Sequence, residues 1–144
     1  MSRSTLDGMS RIQLALNVDD LRVSIDFYRR LFAVEPAKVR DGYANFAVTD
    51  PPLKLVLMEN PGHGGSINHL GVEVEDPDAV ATLHRRLTGD ELATTEQHDT
   101  TCCYAKQDKF WVDATPDGEQ WEVYTVLADS ATFGCTPRDD GACC

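Results

Sequence analysis

Residues 13–31 (QLALNVDDLRVSIDFYRRL) lie over residues 69–87 (HLGVEVEDPDAVATLHRRL) without a gap, and this internal repeat limits the chain to a duplicated architecture. Leu14 aligns with Leu70, Val18 with Val74, Asp20 with Asp76, and Arg29-Arg30-Leu31 with Arg85-Arg86-Leu87. Each copy opens with alternating apolar positions (Leu14, Leu16, Val18; Leu70, Val72, Val74), the period of a strand. An acidic cap follows in each. Apolar residues then return at helical spacing, at Leu21, Ile25, Tyr28 and Leu31 in the first copy and Val80, Leu83 and Leu87 in the second. Strand-like runs come after each helix, at about 35–40, 43–49 and 53–59, and then at 92–97, 102–106, 109–113 and 120–127. Gln107-Asp108 and Pro116-Asp117-Gly118 read as turns in the second copy, and Pro61-Gly62-His63-Gly64-Gly65 as the seam between copies. The expected fold is α+β: two βαβββ modules, about 9–60 and 66–127, forming a curved mixed sheet around a metal-binding cavity with the helices outside.

At 144 residues and 42% hydrophobic, the chain can bury about 70% of its unfolded surface as one domain, residues 9–127. No run approaches the roughly 18 apolar residues of a membrane span, and residues 1–12 lack the apolar run of a signal peptide, so a cytoplasmic location is expected. A net charge of −11 argues against nucleic acid and anionic membranes as partners. Five cysteines, four of them in the adjacent pairs Cys102-Cys103 and Cys143-Cys144, do not form a secreted disulfide framework and read as reduced thiols. Met9-Ser10-Arg11 repeats Met1-Ser2-Arg3, so residues 1–8 read as an extension before a second possible start at Met9. Residues 128–144, without periodic apolar residues, read as a flexible tail carrying Cys135, Cys143 and Cys144.

The repeat aligns Gln13 with His69, both polar residues on otherwise apolar first strands, so symmetry aims both at one point. Glu122, in the apolar run WEVYTV, adds a buried anion on the last strand. Amide oxygen, imidazole and carboxylate make a three-donor face for a divalent first-row metal, with the opposite positions open. The neighbouring thiols of Cys102 and Cys103 can close a small chelate ring on a soft atom. Neighbouring side chains of a regular strand face opposite ways, so residues 98–103 must be looped or bulged for both to reach one atom. His63 and His84 read as solvated, and His98-Asp99 as a surface loop pair.

The segments SRIQLALNVDDL, NHLGVEVED, TTCCYAKQDKFWV and WEVYTVLAD resemble the vicinal oxygen chelate superfamily, and within it the carbon–arsenic lyases and cadmium-induced proteins. The resemblance runs from residue 9 to about 135, and TTCCYAKQDK is its most specific part. It implies a non-haem Fe(II) held by Gln13, His69 and Glu122, dioxygen as cosubstrate, and a trivalent organoarsenical, methyl or aromatic, held by Cys102 and Cys103. Tyr104 directly follows the thiols and reads either as lining the organic group of the substrate or as a core aromatic. Ni(II), Co(II) or Zn(II) should bind such a face at least as tightly as Fe(II), so any of them could occupy purified protein. Cys135, Cys143 and Cys144 could capture the arsenical and pass it to the vicinal pair. Two other readings stand beside the lyase. One is a protein that sequesters Cd(II) or As(III) without turnover. The other is a glyoxalase I-like isomerase, which Gln13 permits but which needs a second carboxylate on the last strand of the first module; Leu53–Met58 contains none, and Glu59 falls at the strand end. Monomer and homodimer are both compatible with the sequence.

Overall fold

The computed structural model describes residues 10–134. The expected extension at 1–8, the alternative start at Met9, and Cys135, Cys143 and Cys144 lie outside the described residues. The elements run β1 (Arg11–Val18), α1 (Leu21–Phe32), β2 (Lys38–Arg40), β3 (Tyr43–Thr49), β4 (Pro52–Glu59), β5 (Ile67–Glu73), α2 (Pro77–Gly89), β6 (Thr94–Cys102), β7 (Ala105–Val112) and β8 (Trp121–Asp129). This is the βαβββ plan twice, in an α+β chain whose strands run in the order β2-β3-β4-β1-β5 in the first unit and β8-β7-β6 in the second. The chain divides into two compact units between Gly71 and Val72.

In the first unit, β1 pairs in parallel with β4, and β4 and β2 pair antiparallel with β3. Asp20 caps α1 by accepting from the Val23 amide at 3.2 Å, and Glu59 Oε2 accepts from the Leu21 amide at 2.9 Å. Both carboxylates thus satisfy amides that a helix start leaves without partners. Leu21, Ile25, Tyr28 and Phe32 pack on Ala44, Phe46, Val48, Leu55 and Leu57. The expected inward residue Leu31 is 58% exposed, because the buried stripe drifts to Phe32 in the last turn.

In the second unit, Asp76 accepts from the Ala79 amide at 2.8 Å and Pro77 opens α2. Val80, Leu83 and Leu87 pack with Val74, Phe110 and Val123. After α2 there are three strands where the sequence suggested four. The runs at 102–106 and 109–113 are one strand, β7, and the turn lies at Cys103-Tyr104 rather than Gln107-Asp108. Asp108 is instead an acceptor, taking the Asp99 amide at 2.6 Å. β8 continues to Asp129, two residues beyond the expected end of the module at 127.

Candidate metal and thiol sites

Alternation along β1 puts Leu14, Leu16 and Val18 on the helix-facing side and leaves Gln13, Ala15 and Asn17, all buried, on the other. In β5 the same alternation buries His69 at 2% exposure. Gln13 Nε2 and His69 Nε2 are 3.0 Å apart, so the pairing expected from the repeat is present within the first unit. His69 Nδ1 lies 2.8 Å from Asn68 Oδ1. An amide oxygen only accepts, so Nδ1 carries the proton and Nε2 keeps the lone pair that a metal would need. Two donors bonded to one ion at about 2.1 Å and at a right angle stand about 3.0 Å apart, the separation seen here. The Gln13 amide would have to turn about its last side-chain bond to offer its oxygen.

Sequence reasoning missed Lys54. It is the direct partner of Gln13 in the parallel β1–β4 register, so its side chain leaves the same face, and it is 9% exposed. A glyoxalase I-like site needs a carboxylate on this strand. An ammonium stands on that face instead, and Glu59 is engaged at the start of α1.

In the second unit Glu122 is 2% exposed and accepts from Lys109 Nζ at 2.7 Å. Lys109 was also missed. Gln107, Lys109 and Trp111 share one face of β7, Trp111 pairs directly with Glu122, and Lys109 is therefore its diagonal neighbour. The Lys109 side chain is wholly buried, with its ammonium 5.2 Å from the Trp111 ring centre and 6.0 Å from that of Tyr124. An unpaired ammonium would be very costly there, and the carboxylate together with the ring faces compensates it. Among the described residues, no group of three or more His, Cys, Asp or Glu side chains is arranged to hold a metal. The candidate set has only two such residues and takes its third donor from an amide.

The thiol pair sits at the tip of the β6–β7 hairpin. Cys102 ends β6 opposite Ala105, and Cys103 (φ 54°) and Tyr104 (φ 63°) form the two-residue turn between them. Such turns need positive φ at both positions and favour asparagine and glycine; a Cys-Tyr turn is strained by about 1–3 kcal/mol per residue. The change of direction at Cys103 brings the sulfurs to 3.4 Å. A soft atom bonded to both at about 2.3 Å and near a right angle would hold them about 3.3 Å apart. The expected irregularity before the pair is also present, as a bulge between Gln97 and Thr100 with Asp99 at φ 50°. Cys103 is not in a disulfide, but Cys102 is disulfide-bonded, so the expectation of two reduced thiols holds only for Cys103 and chelation by the pair requires reduction first. Tyr104 meets Phe133 edge to face at 5.6 Å. Of the remaining histidines, His98 is exposed beside Glu96 as expected, but with Asp99 it lies in the bulge of β6 rather than in a loop, whereas His84, expected to be solvated, is half-buried against Phe110 and bonded to Thr94 at 2.9 Å.

Residues 11–123 match the sequence profile of the Glyoxalase/Bleomycin resistance protein/Dioxygenase superfamily. The chain is 64% identical to the cadmium-induced protein CadI of Mycobacterium tuberculosis over 130 residues, covering 90% of this chain and 85% of that one. It is 56% identical to the trivalent organoarsenical cleaving enzyme of Thermomonospora curvata over 142 residues, covering 93% of each. Among solved structures, methylmalonyl-CoA epimerase from Mycobacterium tuberculosis superposes with a TM-score of 0.59 at 20% identity over 88% of this chain and 93% of that one, a likeness of fold alone. The chain belongs to the Glyoxalase/Bleomycin resistance protein/Dioxygenase superfamily.

Proposed function

We propose that the protein is an Fe(II)- and dioxygen-dependent lyase that cleaves the carbon–arsenic bond of trivalent organoarsenicals to give inorganic As(III), acting in the reducing cytoplasm. The observation that carries this reading is the turn-held sulfur pair, 3.4 Å apart, in a chain 56% identical to a protein named for that cleavage. A trivalent organoarsenical has one carbon and two exchangeable oxygen ligands. Two thiolates replace the oxygens and leave the carbon–arsenic bond free to react. Cys102 and Cys103 are the right number of thiols, and Tyr104 beside them suits contact with the organic group. The Gln13 amide oxygen, His69 Nε2 and the Glu122 carboxylate would hold Fe(II), which when bound supplies activation of dioxygen. Lys109 balances the Glu122 charge before any metal arrives. Lys54, standing where an isomerase would carry its second carboxylate, disfavours that alternative. Cys135, Cys143 and Cys144 would gather arsenical for the vicinal pair.

The 64% identity to a cadmium-induced protein favours a second reading, sequestration of Cd(II) or As(III) without turnover. One experiment separates the two. Reduced protein is reconstituted with Fe(II) without oxygen, given a trivalent methyl or aryl arsenical, and then pulsed with oxygen while arsenic species are followed. The lyase releases many equivalents of As(III) per chain after the pulse, and C102S or C103S releases none. Stoichiometric uptake with no As(III), Fe(II) being bound, would leave sequestration as the function.

A further inference from the structure

The seam between the two repeats does more than join them. Ser66 Oγ donates to the His63 carbonyl at 2.7 Å, so its oxygen is left to accept, and it accepts from Asn17 Nδ2 at 2.9 Å. That contact turns Asn17 Oδ1 toward Asn68, whose Nδ2 donates to it at 3.0 Å, and Asn60 Nδ2 adds a longer bond of 3.3 Å to the same oxygen. Asn68 must then present its own oxygen to His69 Nδ1. Each step assigns the next. Reversing any one amide would set donor against donor or acceptor against acceptor in a part-buried line, at whose centre Asn17 is only 7% exposed. Backbone bonds hold Ser66 in reach: the Asn17 amide donates to the Ser66 carbonyl at 2.9 Å, and the Gly65 amide to the Asn17 carbonyl at 3.0 Å.

We infer that Asn17, Ser66 and Asn68 form a positioning relay that fixes His69 in the tautomer with Nδ1 protonated and Nε2 available as a ligand. The functional meaning rests on the reading of His69 as a metal ligand; the relay itself rests on the hydrogen bonds alone. Asn17 is the orienting residue, two hydrogen bonds from the ring. Outer partners of this kind typically change metal affinity about 10–100-fold when removed.

The test uses the full-length, metal-free, reduced protein with 15N-labelled histidine, at alkaline pH where imidazoles are neutral. Long-range proton–nitrogen correlation reports which ring nitrogen of His69 is protonated. Mn(II), a hard ion that leaves thiols alone, is then titrated and read from the loss of the free-ion EPR signal. Wild type should show protonated Nδ1. N17L should give mixed tautomers and Mn(II) binding weaker by about 10–100-fold. N17L/N68D should restore both, because a carboxylate has no donor to turn toward the ring. A merely structural role for Asn17 would not be rescued by a change at Asn68. S66A, at an exposed position, should shift the tautomer in the same direction as N17L and serves if N17L does not fold. An unchanged tautomer in N17L, or in S66A where N17L does not fold, with wild-type Mn(II) binding, would overturn the relay alone. A tautomer that responds as described in a protein that binds no Mn(II) would keep the relay and overturn the metal site.

Discussion

Replacing Lys109 by methionine keeps an unbranched side chain of similar volume, one heavy atom shorter, and removes the ammonium with its charge and its hydrogen bond. In the second unit this leaves the Glu122 carboxylate, 2% exposed, without the ammonium that meets it at 2.7 Å. Breaking a buried pair on one side costs about 3–5 kcal/mol, because the remaining ion has lost both water and partner. For a chain of this size that lowers the melting temperature by roughly 6–20 °C. K109M/E122Q, which carries no ion at either position, should recover at least half of the loss. Urea unfolding of wild type, both single variants and the double variant gives the coupling free energy directly. Tryptophan fluorescence is a suitable probe, since Trp111 and Trp121 flank the pair on β7 and β8. If K109M lies within 1 kcal/mol of wild type, or the double variant loses the sum of the single losses, the pair does not have the role assigned to it. Divalent metal should rescue K109M more than wild type if Glu122 is a ligand, because a cation then replaces the missing one.

Three further outcomes follow from local geometry. Y104G should stabilise the β6–β7 turn by about 1–2 kcal/mol in denaturant unfolding, since glycine adopts φ 63° without strain, while weakening binding of aryl arsenicals. G64A should destabilise by about 1–3 kcal/mol, because a Cβ there would lie 2.6 Å from the Asp19 carboxylate that accepts the Gly62 and Gly64 amides; equal unfolding midpoints would refute this. The hydrogen bond from Arg29, with the charge of Arg30, lowers the Asp26 pKa below 3.8. Its contribution to folding is therefore complete above that unfolded value and lost as pH falls through the lower folded one, so D26N should flatten the acid limb of a stability profile in that window.

The repeat was legible because strand and helix periods are local, and Asp20 and Asp76 cap their helices as their positions imply. The turn at Cys103-Tyr104 was not, because neither residue carries the usual signature of positive φ and the polar pair Gln107-Asp108 offered a more conventional turn. Gln13 and His69 were found by aligning the copies, and their 3.0 Å approach needs nothing more than that symmetry. Lys54 and Lys109 were missed for one reason. A lysine in an apolar run has no local mark of burial, and its place beside Gln13 or Glu122 depends on a strand pairing that spans 13 residues in one case and 41 in the other. Leu31 and Phe32 were exchanged because three turns of spacing leave two adjacent apolar candidates and only packing chooses between them.

β7 is the regular strand between two irregular ones: the bulge against β6 falls between Gln97 and Thr100, and against β8 the pairing shifts between Val126 and Ala128. Ala105, Gln107, Lys109 and Trp111 consequently keep one face in unbroken alternation from the hairpin tip to the partner of Glu122. A single residue inserted or deleted between Ala105 and Trp111 would turn every side chain beyond it to the opposite face and exchange Lys109 for a neighbour. The connection from Asp113 to Gln120 contains no strand or helix and has no such phase to keep. Changes of length in proteins built on this plan should therefore accumulate in that connection, while β7 admits exchanges of residue but none of length.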